Sequence, residues 1–307
     1  MRKIKGQGKL TKLFASKIAA YNKSVFTKCI SKGENLKHLC EGLNINQSIH
    51  LQVVSFSSTY DFSEQVLSIL SFIKYAGQPV SWTVYSDGTH SKTQISLLEL
   101  SFSFIKVVCI ENFESYIGKN INSALLPYKK ELIAYAKVVP LGKRMFFYLN
   151  FDIAQPTLFI DSDIIFYEKA KFLKPLINEN YNGWFLPDSD WGCLDSRYKS
   201  LQTPQPYQVN GGMFLINKNL KYLPTGMDFF CSLGNKYEYF SDQNVFHILL
   251  LANGFMPFDP RIFVLDSGDQ FDLAYSHTVE EMAIRHYTGP VRHKMWQRDW
   301  KWHLSLR

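Results

Sequence analysis

What most constrains the fold of this chain is an alternation near its start. "HLQVVSFSSTY" (residues 50–60) reads as a buried strand carried by Val53, Val54 and Phe56. "DFSEQVLSILSFIKYAG" (61–77) follows with helical period, an acidic first turn and a glycine stop. "VSWTVYSDG" (80–88) reads as a second strand, "TQISLLELSF" (93–102) as a second helix and "IKVVCIE" (105–111) as a third strand. Strands that alternate with helices run mostly parallel, because each helix carries the chain back to the starting edge of the sheet. Ligands of such sheets sit beyond the carboxyl ends of the strands.

The second half fits the same plan. A helix is expected over 128–138, strands over "TLFIDSD" (157–163), "GWFLPD" (183–188) and "GGMFLIN" (211–217), and a helix over 241–254 with Ser241 as N-cap and Gly254 as stop. The polar, proline-bearing loop between 188 and 208 is long enough to suggest a working loop. With no repeat, low-complexity tract or linker, the expected class is α/β: one domain over 46–296 with a mixed, mostly parallel central sheet flanked by helices. A basic helical extension (1–45) and a basic aromatic tail (297–307) flank it.

Composition narrows the function. Of 307 residues, 46% are hydrophobic and 20% charged, which marks a folded chain with a sizeable core. No apolar run approaches the roughly 20 residues of a membrane span, and the basic start lacks the apolar core of a secretion signal. Five cysteines, at 29, 40, 109, 193 and 231, form no CxxC pair, which argues against a disulfide framework or a zinc site and for a reducing cytoplasm. The net charge of +7 is uneven: residues 1–40 carry ten Lys/Arg and one Glu, and 285–307 carry six Lys/Arg and one Asp. The body between them is acidic, so a nucleic-acid partner is not expected. Leu10, Leu13, Phe14, Ile18, Tyr21 and Val25 recur at helical spacing with lysines between them. That reads either as a helix packed on the domain with its lysines in solvent, or as an amphipathic segment resting on an anionic membrane surface.

The chemistry centres on "TLFIDSD". Side chains at i and i+2 of a strand share a face, so Asp161 and Asp163 would point together into the crevice at its end. Two adjacent carboxylates repel, and a divalent cation such as Mn²⁺ or Mg²⁺, which favours hard oxygen ligands, relieves that repulsion. The plain alternative is a turn with two solvated acids. Asn210-Gly211-Gly212, before an apolar run, either brings backbone close to a ligand or makes a tight turn. Asp242-Gln243 opens a helix, where an acid also simply favours the helix dipole. "RHYTGPVRHKMW" (285–296) collects His286, Gly289, Arg292, His293 and Lys294, a metal- and phosphate-binding set or a solvated basic tail.

In this order, Asp161-x-Asp163, Asn210-Gly211-Gly212, Asp242-Gln243 and His286-Tyr287-x-Gly289-Pro290 resemble glycosyltransferase family 8, which includes glycogenin and bacterial lipopolysaccharide galactosyl- and glucosyltransferases. The resemblance spans 161–296 and extends more loosely to "VVSFSS". It implies the GT-A nucleotide-diphospho-sugar transferase fold, a nucleotide-sugar donor (UDP-sugar above all), Mn²⁺ or Mg²⁺, and transfer of a hexose with retention to a glycan, lipid-linked or protein acceptor. Carried over by position, Asp161, Asp163 and His286 hold the metal. Ser55, Phe56, Ser57, Lys137, Ser162, Asn210, Gly211, Gly212 and Gly289 attend the donor, and Asp242 and Gln243 lie by the anomeric carbon and acceptor. The segment after Gly289 is two residues longer than the family pattern, so either Arg292 or Lys294 would be the diphosphate cation. That departure also leaves room for an inverting enzyme, with Asp188, Asp190 or Asp242 as base. Acceptor contacts are expected from the 188–208 loop and the tail, which could also hold the protein at the inner face of a membrane. Two other classes also fit the sequence. One is a phosphohydrolase of haloacid-dehalogenase type, with Asp161 as nucleophile and Asp163 as acid/base. The other is a non-catalytic glycan-binding module using Trp184, Trp191, Trp296, Trp300 and Trp302 to stack on sugars.

Overall fold

The computed structural model describes residues 7–41, 43, 47–177, 180–188, 194–198, 207–218, 220 and 223–304. Asp190, Trp191, Cys193 and most of the loop expected to meet an acceptor lie outside the described residues. The strands are β1 (Ser48–Ser57), β2 (Gln78–Ser86), β3 (Ile105–Cys109), β4 (Thr157–Asp161), β5 (Ile164–Phe166), β6 (Gly183–Asp188), β7 (Gln208–Ile216), β8 (Met256–Pro257), β9 (Phe263–Val264) and β10 (Ile284–His286). The helices are α1 (Gln7–Ile30), α2 (Gly33–Glu41), α3 (Phe62–Tyr75), α4 (Lys92–Ser101), α5 (Phe113–Asn120), α6 (Lys129–Val138), α7 (Leu141–Leu149), α8 (Leu173–Ile177), α9 (Leu223–Ser232), α10 (Ser241–Ala252), α11 (Arg292–Lys294) and α12 (Trp300–Leu304).

Seven strands form one sheet in the order β3-β2-β1-β4-β7-β6-β8, and only β7 runs against the rest. The parallel half is the alternating pattern of the first hundred residues made physical. Strand residues alternate between two apolar layers: Val53, Leu158 and Ile160 face α1–α3, whereas Val54 and Phe159 face the layer that includes α6, α7, α9 and α10. α4 begins with a reciprocal capping box between Ser91 and Gln94, and α3 stops before Gly77, whose φ of +107° a side chain would strain.

A second sheet, β5-β10-β9, changes the reading of the acidic pair. β4 ends at Asp161, and after Ser162 and Asp163 the chain enters β5 in the other sheet. The two carboxylates therefore share no strand face; a turn between two sheets brings them together. Three other expectations also shift. Asn210-Gly211-Gly212 lies inside β7 rather than before it, where β6 and β7 lose register between Phe185 and Leu186. Three residues of β7 bulge out there because Leu186 pairs with Asn210 but Phe185 with Phe214. Ser241 is the first residue of α10 rather than its cap, its hydroxyl donating to Asp195. Finally, residues 297–304 are no free tail: Trp296 and Trp300 pack on Phe26 of α1, and His303 is buried between Tyr75 and Tyr167.

Candidate active site at the seam of two sheets

The carboxyl end of β4 opens into a crevice of about 590 Å³. Asp161, Asp163, Asp188, Asn210, Gly212, Gln243, His286, Gly289 and Arg292 line it, so nine of the residues singled out in the sequence meet in one cavity. Register explains the convergence. β10 lies antiparallel to β5 with His286 opposite Ile164, and the Tyr287 amide donates to the Asp163 carbonyl at 3.0 Å. This sets the imidazole beside the acidic turn: His286 Nε2 is 3.2 Å from Asp163 and 3.7 Å from Asp161. One ligand atom from each of the three residues lies within 4.8 Å of the others. Two carboxylates and an imidazole suit Mn²⁺ or Mg²⁺ by donor type, so these residues fit the divalent ion that the sequence implies.

Arginines neutralise the acids. Arg292 donates to Asp163 and, at 3.1 Å, to Asp61. Arg144, on α7, straddles two carboxylates: Nη1 reaches both oxygens of Asp161 at 2.8 and 2.9 Å, and Nη2 reaches Asp242 at 2.5 Å. Burial alone would raise the Asp163 carboxyl, but His286 and Arg292 hold it well below the usual range. Burial likewise disfavours protonated His286, yet Asp163 and Asp161 raise its pKa. At Asp242 burial wins: its carboxyl is raised despite Arg144.

Two glycines leave room for these side chains. A Cβ on Gly212 would stand 2.3 Å from His286 Cε1, and one on Gly211 would stand 3.2 Å from Arg144 Nη2. The Gly212 amide donates to Asn210 Oδ1 at 2.9 Å, and Asn210 Nδ2 donates to Asp188 at 3.1 Å, so the bulge of β7 faces its side-chain amide toward the crevice wall. Gly289 lines the opening, and a Cβ there would meet nothing.

Several expected residues stand elsewhere. Lys137 lies on the exposed side of α6, paired with Glu114 at 2.5 Å, and does not line the crevice. The upstream cation that does line the crevice is Arg144. Its signal in the sequence is an arginine that leads straight into the apolar run "MFFYL", since a cation buried in such a helix needs a buried anion. Lys294 is fully buried, its ammonium donating to the carbonyls of Asp272 and Ala274, so of the two candidates only Arg292 reaches the crevice. Asp242 is completely buried, held by Arg144 and Tyr135, and only its neighbour Gln243 lines the cavity. Ser55 accepts from Trp82 Nε1 at 2.9 Å within the core. Phe56 packs on Phe147, though its backbone pairs with Asp161; Ser57 and Ser162 are buried, and none of these four side chains lines the crevice.

No protein-family model matches the chain, and no curated protein does. Solved structures do. The galactosyltransferase LgtC, in complex with donor and acceptor sugar analogs, superposes with a TM-score of 0.50 at 11% identity, over 82% of this chain and 99% of that one. The bifunctional glycosyltransferase WbbM is similar at a TM-score of 0.48 and 14% identity, over 84% of this chain and 51% of that one. Mouse xyloside xylosyltransferase 1 follows at 0.46 and 13%, over 80% and 99%. Identities this low speak to architecture alone, and of the three only the LgtC superposition carries the argument: the chain has the GT-A fold, with its crevice at the carboxyl ends of the central strands.

Proposed function

We propose that this protein is a metal-dependent glycosyltransferase that moves a hexose from a nucleotide diphosphate sugar, UDP-sugar first among them, to a glycan, lipid-linked or protein acceptor. Bacterial lipopolysaccharide belongs to the acceptor class that the sequence resemblance implies. The observation that carries this reading is the meeting of Asp161, Asp163 and His286 within 4.8 Å of one another on the wall of the crevice. When bound there, Mn²⁺ or Mg²⁺ would supply Lewis-acid stabilisation for charge growing on the departing diphosphate.

The chain's own groups supply the rest. The Arg292 guanidinium, on the crevice wall, is preorganised to hold diphosphate oxygens, an effect of about a few kcal/mol in the transition state. Asn210 and Gln243 offer side-chain amides to the donor sugar, and Gly211 and Gly212 leave the space in which Arg144 and His286 stand. Arg144 fixes Asp161 and is anchored in turn by Asp242, which makes Asp242 a positioning residue rather than a base. Sealing that carboxylate away favours retention, in which the leaving phosphate itself can take the acceptor's proton. Asp188, tied to Asn210 on the crevice wall, is the base that an inverting reaction would use. A cytoplasmic location, at the inner face of the membrane when the acceptor is lipid-linked, completes the proposal; the cysteines at 29, 40, 109 and 231 are all unpaired.

Isothermal titration with UDP tests it. Affinity should rise on adding Mn²⁺ to the wild type and not to Asp163→Ala, and that variant should lose nearly all sugar transfer. Equal UDP binding with and without metal in both proteins overturns the reading.

A further inference from the structure

α1 has two apolar sides. One, with Ala15, Ala19, Phe26 and Ile30, is buried against the body. The other carries Leu10, Leu13, Phe14, Ile18, Tyr21 and Val25, whose exposure runs from 36% at Ile18 to 71% at Tyr21. These six recur at three- and four-residue steps, so they form one stripe roughly 22 Å long along the outside of the helix. Folded monomers seldom leave an apolar row of that length open to water.

Charge identifies what covers it. α1 contains five lysines and no acid. Lys12 and Lys23 face the body, bonded to Gln270 and Glu64, while Lys9, Lys17 and Lys28 are exposed along with the stripe. Two copies meeting across a two-fold axis would bring like-charged lysine rows together. An anionic bilayer instead takes both features at once: phosphates beside the ammonium groups, acyl chains beneath the apolar row.

The position of α1 adds a purpose. Lys12 bonds to Gln270, just past Leu265, Asp266 and Ser267 on the crevice wall. Lys23 bonds to the Tyr60 carbonyl, next to the Asp61 that holds Arg292. The helix thus runs beside two segments that frame the crevice.

We propose that the outward face of α1 lies in the headgroup region of an anionic membrane and holds the crevice mouth close to lipid-linked acceptors. The choice of acceptor rests on the transferase reading; the docking itself does not. Sedimentation of the whole chain with vesicles, without nucleotide, tests the docking. The protein should sediment with phosphatidylcholine–phosphatidylglycerol vesicles, not with phosphatidylcholine alone, and less as salt rises. The double change Leu13→Glu with Phe14→Glu, both on exposed positions, should weaken partitioning by at least about a hundredfold and leave UDP binding in the presence of Mn²⁺ intact. Wild-type protein that stays in the supernatant, or a double variant that still sediments, overturns the proposal. So does a wild-type dimer split by the same double change, which would make this face a contact between copies. Failure of UDP binding alongside intact vesicle binding would count against the transferase reading only.

Discussion

Alanine at Gly212 should injure the site without unfolding the protein. Neither Gly211 nor Gly212 has positive φ, so the backbone tolerates a side chain at both positions and only space decides the outcome. At Gly212 the new methyl would lie 2.3 Å from His286 Cε1 and 2.9 Å from Nδ1, while carbon atoms in contact sit about 3.5 Å apart or more. The imidazole must retreat by about 1 Å, which displaces the ring whose Nε2 meets both aspartates. A displacement of that size at a reacting centre costs on the order of a hundredfold in rate, and disturbed ligand orientation costs about 10- to 100-fold in metal affinity. Gly212→Ala should therefore lose about two orders of magnitude in kcat/KM and bind Mn²⁺ correspondingly less tightly, with an overpacking penalty to stability of about 1–3 kcal/mol. Gly211→Ala, 3.2 Å from the end of Arg144, should lose only a few-fold. Gly289→Ala, with open space around its new methyl, should melt like the wild type and change nucleotide affinity alone. Metal titration, thermal melting and turnover of the three variants give the ranking. Gly212→Ala with wild-type Mn²⁺ affinity and turnover would refute the reasoning.

Arg144→Met should destabilise the protein by about 3–5 kcal/mol in urea titrations, because it strands the fully buried Asp242 carboxylate; adding Asp242→Asn should restore much of the loss. Lys137→Ala, at an exposed ion pair, should change stability by under about 1 kcal/mol and leave turnover near wild type. Lys294→Met should lower the melting temperature without raising the KM for the donor, since its ammonium serves the carbonyls of Asp272 and Ala274. Burial pushes His247 down to about 4 and His303 to about 3 from the ordinary 6.5. The unfolded chain then takes up these protons first, so stability should be full above about pH 6.5 and fall towards pH 4 by about 1.4 kcal/mol per unit for each histidine. A His247→Gln variant should flatten that slope.

Much of this molecule was legible in its sequence, and the gaps have physical causes. Strands of a parallel sheet are rich in apolar residues, so β1, β2, β3 and β4 stand out, and the apolar run of β4 breaking into Asp161-Ser162-Asp163 marks the candidate site. What one-dimensional periodicity cannot register is a change of sheet, so in sequence Asp161-Ser162-Asp163 looks like a single strand end. A bulge is equally silent: a glycine pair ahead of an apolar run gives no sign that Asn210-Gly211-Gly212 lies inside β7. Finding Arg144 in place of Lys137, and deciding between Arg292 and Lys294, needs the helical phase of each residue against the sheet. Two positions apart on a helix is over half a turn, enough to send Arg292 to the crevice and Lys294 into the core. The phosphohydrolase alternative shares the strand-then-Asp-x-Asp pattern, and what separates it is the GT-A architecture of the whole sheet, which one motif cannot carry.

Because β4 and β5 belong to different sheets, the gap between Asp161 and Asp163 acts as a gauge of how those sheets are docked. Asp161 travels with the large sheet, and Asp163 and His286 travel with the small one. The small sheet is pinned from behind by α3, through the Ser71 hydroxyl on the Phe166 amide at 3.1 Å and the Phe72 ring against Phe166 at 4.8 Å. Loosening that rear hinge would widen the jaws at the far side, so the grip on the proposed cation would be set in part by a pair of phenylalanines that do not line the crevice.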